Sequence, residues 1–297
     1  MRVLITGSNG FLGGRIYKFL KENKFNITLL NRKKNFKINK KSKKKIEKVC
    51  KGIDVIINCI GKDIHTAKNR KKTIISNSEI PDLIYSAGNK VGVKYFIYIS
   101  TYHIYDFNQK KINENSKLLK KNLYSESKIL GEKKIKSYKG KTKIIVLRSC
   151  NLFGYPITKN KNCSNLLINY ILKNLANNKI ISIKSRYNEY RYYSSMKMFN
   201  EFLLKILKNL NKINFINRIK IYNYFVDQCF NILELLNIIQ RKIFPNKIIK
   251  VKFKHKNLIK KERFLLKSLD KKFLPNKDKF FKDEIIKTYN YYKNIKK

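Results

Sequence analysis

Apolar residues in this chain fall into short continuous runs, separated by stretches whose apolar positions recur at helical spacing. Met1 to Thr6 reads as a buried strand that stops at a glycine-rich turn. Phe11 to Glu22 then carries Phe11, Leu12, Ile16, Phe19 and Leu20 on one helical stripe. Further runs predict strands over Asn26 to Leu30, Asp54 to Ile60, Tyr95 to Ser100 and Lys143 to Leu147. A helix bearing Tyr124 and Lys128 precedes the last of these. Strands alternating with helices imply parallel βαβ units and helices on both faces of the sheet. The expected class is therefore α/β, a Rossmann-type doubly wound parallel sheet.

Beyond about Tyr155 the alternation loosens into helices and short strands, ending in an amphipathic segment from Asp283 to Tyr292. We expect a dinucleotide-binding domain over 1–156 and a smaller C-terminal substrate-binding lobe over 157–297, with some segments returning to the first domain. There is no internal repeat and no Pro/Gly/Ser linker, so the C-terminal part should pack against the first. A ligand cleft belongs between them, at the carboxyl ends of the strands. Arg32 to Lys48 is basic and of low complexity, which fits a solvated loop and a surface helix.

Composition adds two constraints. The chain has 297 residues, 43% of them hydrophobic, enough for a sizeable core. It also carries 69 Lys+Arg against 19 Asp+Glu, a formal net charge of +50. Such a charge raises the alternative of a basic nucleic-acid-binding protein. Lysine is spread along the whole chain, however, and no nucleic-acid motif accompanies it. The enriched residues (Lys, Asn, Ile, Phe, Tyr) share AT-rich codons, so compositional drift accounts for the charge, and no specific nucleic-acid partner is expected. Cys50, Cys59, Cys150, Cys163 and Cys229 are scattered and odd in number. That spacing argues against disulfides and zinc. His65, His103 and His255 are dispersed, so no metal site is expected. With no signal peptide and no membrane-spanning apolar run, the expectation is a cytoplasmic protein without a membrane partner.

Two motifs carry chemistry. Gly7-Ser8-Asn9-Gly10-Phe11-Leu12-Gly13 stands between a strand and a helix. Its glycines allow a sharp turn, close backbone approach to a pyrophosphate, and tight helix–strand packing. Tyr124 and Lys128 lie four positions apart, hence on one helix face. A phenol serves as acid or base near neutrality only where its phenolate is stabilised, and a nearby cation does that.

These motifs, with Asp54-Val55-Ile56-Ile57-Asn58, Ile99-Ser100-Thr101-Tyr102-His103-Ile104-Tyr105, Gly131-Glu132 and Leu147-Arg148-Ser149-Cys150-Asn151-Leu152-Phe153-Gly154, resemble the extended short-chain dehydrogenases/reductases. That family is also called the NAD-dependent epimerase/dehydratase family. The likeness is dense in the first half and thin in the second, and the stretch at Thr101 with Asn162-Cys163 is similar to bacterial members encoded with surface-polysaccharide genes. The resemblance implies an NAD or NADP cofactor seated on Gly7, Asn9, Gly10, Phe11, Leu12 and Gly13. It implies Tyr124 as the proton donor or acceptor, and Lys128 as the residue that holds the nicotinamide ribose and lowers the tyrosine's pKa. Thr101 would hydrogen-bond the reacting oxygen, with Ser100 as the fallback. Asn151 and Arg191 would contact a nucleotide-sugar substrate, Arg191 as a bidentate diphosphate clamp. A homodimer is a further expectation from the resemblance.

Three departures bear on the reading. Asn31-Arg32-Lys33 ends the second strand without a carboxylate, which leans toward Arg32 binding the extra phosphate of NADP. Dehydratases of the family place Asp-Glu after the catalytic Ser/Thr, whereas Thr101 precedes Tyr102-His103, which disfavours dehydration. Tyr192, with Met196-Lys197-Met198 beyond it, stands where the family generally places acids after the arginine. The implied activity is epimerisation or net reduction of a nucleotide-activated sugar. The alternative is a non-catalytic nicotinamide-binding protein.

Overall fold

The computed structural model describes residues 1–30, 40–157, 163–183, 189–246, 248–253 and 263–295. Arg32 and His255, and Asn162 beside Cys163, lie outside the described residues. The central sheet has six strands: β1 (Arg2–Thr6), β2 (Asn26–Leu30), β3 (Val55–Asn58), β4 (Tyr95–Thr101), β5 (Lys143–Ser149) and β6 (Ile219–Tyr224). Their order is β6-β5-β4-β3-β1-β2 and every pairing is parallel. Strand order therefore reverses between β1 and β3, the switch point at which doubly wound sheets bind ligands.

The period-two alternation divides these strands between two cores. Val3, Ile5, Val55, Ile57, Ile97, Ile99, Ile145 and Leu147 point to one face. There they meet α1 (Phe11–Glu22) through Ile16 and Leu20, and the helix Met196–Lys208 through Phe199 and Phe202. Leu4, Ile56, Phe96, Tyr98, Ile144 and Val146 point to the other. That face is covered by α2 (Lys43–Cys50), by α3 (Ile80–Lys90) and by α4 (Leu123–Ser137), which contributes Ile135. Because both faces are covered, the strands read as nearly unbroken apolar runs. α2 falls at the end of the basic stretch, burying only Ile46 and Cys50 while its lysines stay in water.

A third core joins the helices Leu167–Ala176 and Phe281–Asn294. Beside it a three-stranded sheet pairs Asn151–Phe153 with Arg191–Ser195, and Arg191–Ser195 with Cys229–Phe230. The last helix is also tied to the first. Arg15 of α1 lies 2.7 Å from Glu284, donates to the carbonyl of Tyr155, and stacks 4.2 Å over the Tyr155 ring.

Local chemistry sets the end of β1 and the start of α4. Gly7 has φ +69, and a Cβ there would lie 2.9 Å from the Cys59 backbone, so only glycine lets β1 and β3 meet at the switch point. A Cβ on Gly13 would overlap the carbonyl of Gly7, so this glycine brings the helix against the turn. Asn122 caps α4 reciprocally: its side chain accepts from the Ser125 N–H, and the Ser125 hydroxyl accepts from the Asn122 N–H.

Gly131 lets α4 approach the sheet, since a Cβ there would collide with the Asn77 carbonyl and the Tyr98 hydroxyl. Gly131→Ala should destabilise the protein by about 1–3 kcal/mol through overpacking, although alanine is the better helix former. A lowered midpoint in urea unfolding checks this, and an unchanged or raised midpoint contradicts it.

Candidate active site

The carboxyl ends of β1, β3, β4 and β5 open into a cleft of about 1300 Å³. That is more than one drug-sized ligand needs, typically about 300–1,000 Å³. Gly10, Phe11 and Leu12 line one wall; Ser100, Thr101, Tyr124, Lys128 and Asn151 line another; Arg191 stands farther along. Gly7, Asn9 and Gly13 are not on the lining: Gly7 and Gly13 shape the turn from beneath. The turn presents α1 by its N-terminus, where unsatisfied N–H groups favour an anion. At the switch point the Thr6 hydroxyl donates to the Asn58 side chain at 2.9 Å, joining β1 to β3 in the core.

Tyr124 and Thr101 both line the cleft, close enough for the threonine hydroxyl to act on the phenol. Burial pushes the phenol up to about 12; the Thr101 hydroxyl works the other way, and the Asp63 carboxylate adds to the rise. Lys128 lies one helical turn farther on, 6% exposed, with Nζ donating to the Ile99 carbonyl at 2.8 Å. Burial lowers its ammonium to about 8, against the favourable charge of Glu132. The groups acting on the phenol here are thus Thr101 and Asp63, while Lys128 is held from below by β4.

Asn77 braces this pair from a π-helical turn, Ile75–Glu79, that leads into α3. Its amide oxygen accepts from Lys62 N–H at 2.6 Å, and its nitrogen donates to Ser127 Oγ at 2.9 Å. Its carbonyl accepts from the Tyr98 hydroxyl at 2.6 Å. The residue between Tyr124 and Lys128 on the helix is thereby pinned to the loop after β3.

Asn151 is turned inward. Its Oδ1 bonds His103 Nε2 at 3.0 Å, and its nitrogen donates to the Tyr102 hydroxyl and the Tyr192 carbonyl. Because both amide hydrogens are used, Oδ1 accepts, so His103 carries its proton on Nε2. The His103 N–H donates to Thr101 Oγ1 at 3.2 Å, which couples this network to the tyrosine. Arg191 pairs with Glu189 at 2.8 Å, and its charge works against the rise that burial imposes on the Tyr193 phenol. Arg263, far away in sequence, lines the same cleft.

Beneath Ser100 lies a buried ion pair. Arg148 of β5 donates from Nε and Nη2 to the two oxygens of Glu132, at 3.1 and 2.7 Å. The same carboxylate accepts from Ser100 Oγ at 2.6 Å, and Arg148 Nη1 reaches the Tyr105 hydroxyl and the Glu114 carbonyl. Burial alone would raise the Glu132 pKa, but Arg148, Lys136 and Ser100 together hold it below its ordinary value.

The sequence model of the NAD dependent epimerase/dehydratase family matches residues 3–215. The chain belongs to that family. It is accordingly an NAD-dependent enzyme of the epimerase/dehydratase type. No curated protein sequence matches it significantly. Among solved structures it is similar to MoeE5 in complex with UDP-glucose and NAD, at 11% identity and a TM-score of 0.81 over 100% of both chains. It is likewise similar to a UDP-glucose 4-epimerase from Thermotoga maritima, at 16% identity, TM-score 0.78 and 100% of both chains. A UDP-glucuronic acid 4-epimerase from Bacillus cereus gives 16%, 0.78 and 100% of both chains. At these identities the likeness establishes the fold.

Sequence reasoning missed the roles of His103, Asn77, Asp63 and Arg263. His103 could have been found from its place two residues after Thr101. Asn77 lies on a helix far from either motif, and nothing in the sequence marks it. Among the described residues no cluster of His, Cys, Asp or Glu could hold a metal ion, and no helix is long and apolar enough to cross a membrane.

Two predictions follow from the buried groups. Arg148→Met leaves Glu132 buried without its partner and should destabilise the fold by about 3–5 kcal/mol, read as a shift in urea midpoint. His103 is lowered to about 4, chiefly by burial, with Arg191 and Lys121 adding to the shift and Asn151 and Glu189 opposing it. Between that value and the unfolded value, ordinarily about 6.5, the unfolded chain binds the extra proton. Stability should therefore fall as pH drops through this window, and His103→Gln should flatten that part of the profile. Parallel profiles for the two proteins would refute the assignment.

Proposed function

We propose that this enzyme moves a hydride between its nicotinamide cofactor and a carbon of a nucleotide-activated sugar, as an epimerase or a reductase. The observation that carries the reading is the juxtaposition of Thr101 and Tyr124, with Lys128 one turn away, in the cleft that the glycine turn also lines. In the reducing direction Tyr124 gives its proton to the sugar carbonyl oxygen while Thr101 hydrogen-bonds that oxygen. In the oxidising direction Tyr124 takes the hydroxyl proton as the carbon loses hydride. The cofactor, when bound, would accept the hydride in the oxidising direction and donate it in the reducing one. A phenol standing at about 12 is an acid at neutral pH, so proton removal depends on added positive charge, since Lys128 is not among the groups that act on the phenol here.

The residues present fit the cofactor. Gly10, Phe11 and Leu12 would face its pyrophosphate on the α1 N-terminus, and Lys128 would meet the ribose. Arg191 and Arg263 would hold the diphosphate, and Asn151, its amide hydrogens committed to Tyr102 and Tyr192, would offer the sugar only its oxygen. The absence of an acid pair after Thr101 favours epimerisation or reduction over dehydration. We place the protein in the cytoplasm, as a homodimer, in the synthesis of surface-polysaccharide precursors.

Tyr124→Phe should lower kcat by roughly 10²–10⁴-fold while cofactor binding survives. Thermal melting with NAD⁺, NADH, NADP⁺ and NADPH reads the binding, because a ligand of the native state raises Tm. Retained NAD(H) supports an epimerase that recycles its cofactor, and preferential, exchangeable NADPH supports a reductase. Full turnover by Tyr124→Phe would overturn the mechanism.

A further inference from the structure

The cleft wall beside Thr101 is built of rings. Tyr102 follows Thr101 directly, and Phe107 stands 5.5 Å from it between centroids. Phe264, brought from the distant C-terminal part, lies nearly parallel to Tyr102 at 6.3 Å and meets Phe107 at 4.8 Å. His103 packs 4.4 Å from Tyr102 and stands edge-on to Phe107 at 6.3 Å. All four line the cleft, and they share it with Tyr124 and Asn151.

The four are buried to different degrees. Tyr102 is 1% exposed and its hydroxyl is engaged by Asn151, so it is part of the wall's foundation. Phe107 and Phe264 keep part of their surface open. Their planes are tilted by 40°, which makes a corner and not a flat stacking platform. A flat ring suits the C–H face of a sugar, whereas a corner suits a small apolar group that touches both rings at once. His103 is neutral above about pH 4, so no imidazolium stands on this wall. The cationic groups near it are Lys121, whose Nζ lies 3.9 Å over the Phe107 ring, and the arginines Arg191 and Arg263 farther along.

We propose that the corner between Phe107 and Phe264 is a subsite for a methyl-bearing substituent of the sugar, an N-acetyl group or a 6-deoxy methyl. The substrate class is then an N-acylated or deoxygenated nucleotide sugar in preference to a plain hexose or a uronate. This rests on the nucleotide-sugar reading above and deepens it. Contact with both rings removes apolar surface of ligand and wall from water together, and one well-seated methylene is worth roughly 10–200-fold in discrimination.

The test is calorimetric titration of the NAD⁺-loaded protein with UDP, dTDP and four conjugates of whichever nucleotide binds more tightly: glucose, N-acetylglucosamine, 6-deoxyglucose and glucuronate. The expected result is that one or both methyl-bearing conjugates bind about tenfold more tightly than the glucose conjugate. Phe107→Ala and the milder Phe264→Leu should each erase most of that preference and leave affinity for the bare nucleotide unchanged. The ranking in the unsubstituted protein decides by itself if either variant fails to fold. Equal binding of glucose and methyl-bearing conjugates overturns the proposal, as does tightest binding of glucuronate, which would assign the wall to Lys121. If neither nucleotide nor any conjugate binds, the nucleotide-sugar reading fails and the subsite falls with it.

Discussion

The candidate site depends on one buried ion pair, Arg148 with Glu132. An uncompensated charge in a protein interior is very unfavourable, so each partner constrains where the other can lie. Arg148 belongs to β5 and Glu132 to α4, and the carboxylate also takes the Ser100 hydroxyl at the end of β4. One planar, bidentate contact thus holds three elements in register. Those elements carry Thr101, Tyr124 and Lys128. The pair also acts at a distance on Lys128, because Glu132 favours its ammonium against the cost of burial.

Around that anchor the cleft is organised as two networks that meet at Thr101. On one side Asn77, Ser127 and the loop after β3 brace the helix face between Tyr124 and Lys128. On the other, His103, Asn151 and Tyr102 form a closed set of hydrogen bonds that uses up the amide's donors. Thr101 accepts a backbone N–H from the second network and lies beside the tyrosine of the first. The freedom of its hydroxyl is small, which is what a group aimed at a reacting oxygen requires.

Much of this was legible in the chain before any coordinates. The runs 1–6, 55–58, 95–101 and 143–149 are apolar on both faces, as a covered parallel sheet demands, and the glycine turn needed no tertiary information. The sixth strand, Ile219–Tyr224, was not legible: Lys220 and Asn223 interrupt its apolar pattern. An edge strand needs less burial, and its asparagine is satisfied by Glu114, Tyr105 and the Lys267 carbonyl, groups distant in sequence. Asn77 and Arg263 escaped for the same reason, since their importance comes from what the fold brings beside them. Tyr192 stood out as a departure from the family pattern. Its reason became physical once its hydroxyl was seen between Leu266 and Phe264, supporting the segment that carries the aromatic wall.

The ion pair between Arg15 and Glu284 has a consequence for how the chain is made. Arg15 sits in the helix that opens the cofactor turn, and Glu284 in the final helix, 269 residues later. During synthesis the amino-terminal strands and helices emerge first and can begin to assemble. Until the last helix leaves the ribosome, though, Arg15 lacks the Glu284 carboxylate, and until Ile219–Tyr224 emerges the sheet edge at β5 stays uncovered. The nascent enzyme therefore carries an open strand edge at β5, three strands from its glycine turn, from the synthesis of Ser149 to that of Tyr224. In a chain of net charge +50, mutual repulsion between neighbouring nascent copies is a physical safeguard against that edge pairing with another.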